Sequence, residues 1–177
     1  MSDASNTQFN VAQLLQSTVG GTRRYEVEAT VPSLNEEIAL TRPITGGVQF
    51  TRTQQGILTQ GHFQSAAELT CDRCLDRFAS DIEFDVEEEF VPTVDVNTGR
   101  WLELEETDPA LLINEHHLLD LKEVLRQAIL LAVPMHPVCR SGCAGLCPRC
   151  GKNLNEGPCD CAQNEVDPRW EKLRELK

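Results

Sequence analysis

A chain of 177 residues, 40% hydrophobic and 25% charged, can bury the core of one medium domain, or of one domain with a small appended module, without obligatory cross-links. Its net charge of −12 argues against a broad basic face for grasping phosphates. The imbalance is local, because Asp76 to Glu123 holds 15 acidic and 3 basic residues while the remainder holds 13 of each.

That segment reads either as a solvated stretch that keeps the protein soluble or as an acidic surface for a basic partner. The start, MSDASNTQFN, has no basic region leading into an apolar run, so no secretory signal is expected. The longest apolar block, Ala128 to Val133, falls far short of the roughly 20 residues that span a bilayer. The expectation is a soluble cytoplasmic protein, and in a reducing cytosol closely spaced cysteines favour metal ligation over disulfides or thiol redox chemistry.

In chain order, Asn10 is placed to cap a short helix carrying Val11, Leu14 and Leu15, ended by Gly20 and Gly21. Tyr25, Val27, Ala29 and Val31 alternate with polar residues as in a half-buried strand closed by Pro32. Glu37 to Leu40, Val48 to Thr53 and Ile57 to Cys71 are further strand-like pieces, separated by Gly46-Gly47 and Gln55-Gly56. After Cys74, Ile82, Phe84, Val86 and Phe90 define one side of a long strand with acids on the other. Pro92 to Pro109 looks like an excursion with at most one short strand.

Asp120 and Glu123 resemble a capping box for a long helix whose apolar residues, from Leu121 to Ala132, recur at helical spacing until Pro134. Beyond it the texture becomes short turns rich in Cys, Gly and Pro, which cannot build an apolar core. Asp167-Pro168 then starts a terminal helix with Trp170, Leu173 and Leu176 facing the body. The fold class is α+β: an antiparallel sheet with one long helix and a C-terminal cysteine-rich zinc-binding module, divided as residues 1–134 and 135–177.

Two cysteines two residues apart reach one ion from a single turn, and a structural zinc takes four ligands in a tetrahedron. Cys71-Asp-Arg-Cys74 and Cys147-Pro-Arg-Cys150 have this form. Cys159-Asp-Cys161 projects two thiols to one side of an extended backbone. Cys147, Cys150, Cys159 and Cys161 thus make one clasp, leaving Cys71, Cys74, Cys139 and Cys143 as a second tetrad that joins the sheet to the segment after the helix. Cys139 or Cys143 can exchange roles with Cys159 or Cys161, and His136 can replace a sulfur. His116 and His117 read as structure or solvent contacts, and His62 has no assigned role.

Arg73, Arg77, Arg140, Arg149 and Lys152 surround the proposed ligands, either to balance thiolate charge or, for Arg140, Arg149 and Lys152, to contact RNA phosphate. Neither Cys-x-x-Cys precedes a helix that would activate a thiol, and closed four-thiolate sites leave no open coordination position. No catalytic residues and no organic cofactor are expected; the cofactor expected is zinc, two structural ions.

Three blocks, VAQLLQSTVGGTRRYEV, LTCDRCLDRF and VPMHPVCRSGCAGLCPRCGKNLNEGPCDC followed by DPRWEKLREL, resemble the YceD-like proteins associated with accumulation of large-subunit ribosomal RNA. The resemblance implies a cytoplasmic factor in processing, assembly or stabilisation of the large ribosomal subunit and supplies no reaction. The family's genomic association with a small basic ribosomal protein suits the acidic segment. The leading expectation is a noncatalytic ribosome-biogenesis factor that binds a basic ribosomal protein or precursor particle. Direct RNA binding and a zinc-thiolate redox switch are the alternatives.

Overall fold

Alternation of apolar and charged residues along the β-prone stretches gives long antiparallel strands with one buried and one wet face. The computed structural model describes residues 7–30, 38–104 and 107–161. Its elements are β1 (Gln8–Asn10), α1 (Ala12–Leu15), β2 (Thr22–Ala29), β3 (Ala39–Arg52), β4 (Ile57–Thr70), β5 (Arg77–Pro92), β6 (Leu112–Ile113), β7 (Leu118–Asp120) and α2 (Lys122–Ala132). Single 3₁₀ turns lie at Pro109–Leu111 and Leu154–Glu156.

The main sheet has the order β2-β3-β4-β5-β6. Its first four strands form an antiparallel meander, and β6 adds to the end of β5 in parallel. The β4–β5 ladder runs without a register shift from Ile57↔Phe90 to Thr70↔Arg77. The turn that follows Thr70 therefore sits at a fixed place beyond the sheet end, and it carries Cys71 and Cys74.

Phe63 fills the middle of the buried face. It stacks on its cross-strand partner Phe84 with ring centroids 5.7 Å apart. Gly46 and Gly61 make room for it: a Cβ on Gly46 would lie 2.2 Å from the His62 carbonyl oxygen, and one on Gly61 would lie 2.7 Å from the Phe63 ring. Helix α2 packs over β5 and buries Val124, Leu125 and Ile129. A small ribbon, β1 against β7, fastens the start of the chain to the start of α2, with Phe9 against Tyr25 and Phe50.

Several expectations need correction. Asn10 ends a strand, and although its Oδ1 accepts from the Ala12 N–H, the following helix is only Ala12–Leu15. The pieces near Leu40 and Val48 form one strand, with Pro43 accommodated where the register shifts between Arg42 and Thr45. Gly46-Gly47 lies within it, and at Gly46 Phe63 needs the space. Helix α2 is 11 residues, about three turns, rather than a long helix. Asp120 accepts from the Lys122 N–H, but Glu123 turns to Arg126 and Gln127, so no reciprocal capping box forms. Val31, Pro32, Glu37 and the expected terminal helix with Trp170, Leu173 and Leu176 lie outside the described residues. Among the described residues no helix is long and apolar enough to cross a membrane.

Part of the acidic segment is a strand face. Asp81, Glu83, Asp85 and Glu87 are exposed on β5 while Ile82, Phe84 and Val86 point inward. Arg42 pairs with Asp81, and His62 Nδ1 lies 2.7 Å from Asp85.

Candidate metal centres

The eight cysteines gather in two groups of four: Cys71, Cys74, Cys139 and Cys143 in one, and Cys147, Cys150, Cys159 and Cys161 in the other. Within each group all four sulfurs lie within 4.8 Å of one another. In the first, Cys71 and Cys143 are 3.8 Å apart, and Cys74 and Cys139 are 3.7 Å apart. A tetrahedral ion held by sulfur at about 2.3 Å requires sulfur–sulfur edges of about 3.8 Å. A disulfide requires about 2.05 Å. The donor set therefore fits a four-thiolate metal centre, and all eight cysteines are unbridged.

The two Cys-x-x-Cys segments adopt the same turn. The Cys71 N–H donates to the Asp76 carbonyl and the Leu75 N–H to the Cys71 carbonyl, both at 2.9 Å. The Cys147 N–H likewise donates to the Lys152 carbonyl at 2.8 Å and the Gly151 N–H to the Cys147 carbonyl at 2.9 Å. Each turn closes on a left-handed residue, Leu75 with φ 62° and Gly151 with φ 72°. Glycine accepts this conformation freely, and a β-branched residue resists it most. Leu75→Gly is therefore expected to leave stability nearly unchanged, while Leu75→Val costs about 1–2 kcal/mol; denaturant unfolding of the metal-loaded protein reads the difference.

Backbone amides tune the sulfurs. The amides of Cys139, Cys74 and Arg73 lower the Cys71 thiol to about 6, against the burial that raises it. The amides of Cys150 and Arg149, with the Cys159 thiol, lower Cys147 to about 6. Cys161 is pushed up to about 12 by Cys150, burial and its other sulfur neighbours. At Cys74 the Asp76 amide favours the thiolate, yet burial and the surrounding thiols win and the group is raised. Burial also raises Cys139, whereas the Asn155 side chain leads the interactions that lower Cys143. Four sulfurs at this spacing cannot all ionise together unless a cation balances them.

The first centre is seated between the sheet end and the segment after α2. Cys71, Cys74 and Cys143 are buried with Phe78 and Cys139 packed against them. The Asp72 N–H donates to the Pro137 carbonyl at 2.9 Å. The second group, from Cys147 onward, belongs to neither described hydrophobic cluster.

His136 is not in either group; its Nδ1 lies 3.0 Å from Asp72, with 88% of the side chain exposed. Of the surrounding cations, Arg73 donates to the Cys143 carbonyl at 3.1 Å, Arg77 to Glu68 at 3.1 Å and Lys152 to the Pro158 carbonyl at 2.8 Å. Spacing did not reveal Asn153 and Asn155. The Asn153 amide donates to Asp76 at 2.8 Å and the Asn155 amide to Cys143 Sγ at 3.4 Å. Their short polar side chains within a cysteine loop were the available signal.

Sheet and clusters together define an antiparallel β-protein with two tetrathiol centres at and beyond one sheet end. The chain belongs to the YceD family, matching its description "Large ribosomal RNA subunit accumulation protein YceD" over residues 59–177. That span contains β5 and all eight cysteines. Uncharacterized proteins of Mycobacterium bovis and Mycobacterium tuberculosis are 31% identical over 125 residues, which is 69% of this chain and 56% of each relative. The chain thus spans about half the length of these relatives. The "Large ribosomal RNA subunit accumulation protein YCED homolog 1, chloroplastic" of Arabidopsis thaliana is 34% identical over 59 residues, 33% of this chain and 18% of that protein. No solved structure matches the chain.

Proposed function

We propose that this chain is a noncatalytic, cytoplasmic ribosome-biogenesis factor that supports accumulation of large-subunit ribosomal RNA by holding a basic ribosomal protein or precursor particle. Membership of the YceD family carries the ribosomal reading. The wet face of β5 supports the choice of partner, because Asp81, Glu83, Asp85 and Glu87 stand along one exposed strand face. Such a face attracts a cationic protein and repels phosphate.

Zinc is the proposed ion in both centres, since four thiolates in a tetrahedron suit it and exclude hard cations such as magnesium. Cys71, Cys74, Cys139 and Cys143 would hold one ion and Cys147, Cys150, Cys159 and Cys161 the other. The ions stabilise the turns and supply no reaction. On this reading the chain comprises a sheet body of residues 1–134 and a metal-dependent module of residues 135–177.

The alternative of RNA contact through Arg140, Arg149 and Lys152 draws less support, because Lys152 is already turned onto its own loop.

The test is recovery of the tagged protein from its own cells at low salt, with bound protein, RNA and metal measured on one sample. Basic ribosomal proteins, released by salt, are the expected cargo. Replacing Asp81, Glu83, Asp85 and Glu87 with lysine should reduce their recovery at least about tenfold, as removal of a steering surface does, while metal content stays unchanged. Capture of RNA alone, equal in both versions, would overturn the proposal.

A further inference from the structure

The 3₁₀ turn Leu154–Glu156 lies inside the loop between Cys150 and Cys159, so both of its ends lead to sulfurs of the second centre. One of its side chains, Asn155, acts on the first. Asn155 Nδ2 donates to Cys143 Sγ at 3.4 Å, and Asn155 Oδ1 accepts the Ala144 N–H at 2.9 Å. The same amide donates to Asn153 Oδ1 at 2.8 Å, which also accepts the Asn155 N–H at 3.0 Å. The carboxamide is thereby fixed in orientation, with its N–H groups on the sulfur side.

Three further contacts tie the same loop to the first turn, one directly through Asn153 and two in relay through Gly145 and Leu146. The Leu154 N–H donates to the Gly145 carbonyl at 2.8 Å, the Leu146 N–H to the Arg73 carbonyl at 3.0 Å, and Asn153 Nδ2 to Asp76 at 2.8 Å. A Cβ on Gly145 would stand 3.0 Å from that Arg73 carbonyl, so the two backbones touch there. No residue of this loop belongs to a described hydrophobic cluster. Its order must come from these polar contacts and from whatever gathers Cys147, Cys150, Cys159 and Cys161.

We infer that the two centres load cooperatively, with Asn155 as the positioning residue that couples them. An ion in the second centre fixes both ends of the loop, which sets the Asn155 amide against Cys143 and strengthens the first centre's hold on its own ion. Hydrogen bonds to a ligating sulfur favour the thiolate that a metal needs. Thermodynamic linkage makes the effect reciprocal, so an ion in the first centre also favours filling of the second. This inference rests on reading both groups as metal centres and is independent of the ribosomal cargo.

The test uses the full chain at buffered free zinc concentrations, with each cysteine's protection from alkylation resolved by peptide mass spectrometry. This gives a separate midpoint for each centre. In the variant Cys159→Ser/Cys161→Ser, the midpoint for Cys71, Cys74, Cys139 and Cys143 should move to about 10-fold to 100-fold higher free zinc, the range for loss of a partner outside the ligand set. Asn155→Ala, which keeps all eight sulfurs, should move it similarly. The combined variant should move it no further than either alone, because the two changes interrupt one route.

An unchanged first-centre midpoint in Cys159→Ser/Cys161→Ser overturns the coupling. So does an Asn155→Ala effect that adds in full to that of the serines, since Asn155 would then act without the second centre. If wild-type cysteines gain no protection from zinc at any concentration, the metal reading itself fails and this inference falls with it.

Discussion

Cys147→Ser is expected to unravel the chain beyond the first centre while the five-stranded sheet persists. The described residues from Cys147 to Cys161 contribute to no apolar cluster, whereas the sheet buries Phe50, Phe63, Phe90 and Ile44 fully. A structural zinc bound by thiolates contributes on the order of 10 kcal/mol to folding, and a small loop-rich segment has nothing comparable to replace it. Hydrogen exchange on the full chain checks this. Amides of Leu146, Cys147, Gly151 and Leu154 should lose protection, and those of β3, β4 and β5 should keep it. Uniform loss across both regions would show that the two do not separate as proposed. Cys71→Ser should act differently, loosening the junction between the sheet end and Cys139, where the Asp72 N–H meets the Pro137 carbonyl.

The second large effect is expected from Phe63→Ala. Its side chain is fully buried, stacks on Phe84 and lies over Gly46 and Gly61. Neither glycine has a side chain that can swing in to fill the space. Removing the ring should therefore cost about 3–5 kcal/mol, the range for a buried phenylalanine whose cavity cannot collapse. Denaturant unfolding of the metal-loaded protein measures it, with a lowered midpoint at constant slope. A loss under about 1 kcal/mol would mean that the sheet closes over the gap.

How much of this was legible in the sequence varied with the range of the interactions involved. β5 announced itself because Ile82, Phe84 and Val86 alternate with acids over a stretch long enough for the period to register. β1, β6 and β7 did not, since two or three residues carry no readable period and their pairings join distant parts of the chain. Gly46-Gly47 looked like a break because the reason for Gly46 lies across the ladder, in the ring of Phe63. At the centres, repeated Cys-x-x-Cys spacing pointed to two sets of four sulfurs. The action of Asn155 on Cys143 was hidden, because it depends on how one cysteine loop lies against another.

The place of the first centre also changes the topology of the molecule as a polymer. Cys74 and Cys139 are separated by 65 positions yet sit 3.7 Å apart at their sulfurs. The chain leaves one, runs out along β5, returns through α2 and arrives at the other. A bound ion would close this excursion into a ring, removing freedom from the denatured ensemble as a covalent bridge does, an entropic gain of roughly 4 kcal/mol for a circuit of this size. Strand and helix would then stay tethered even after their packing had melted, and chelation would act on the body of the protein as well as on its tail.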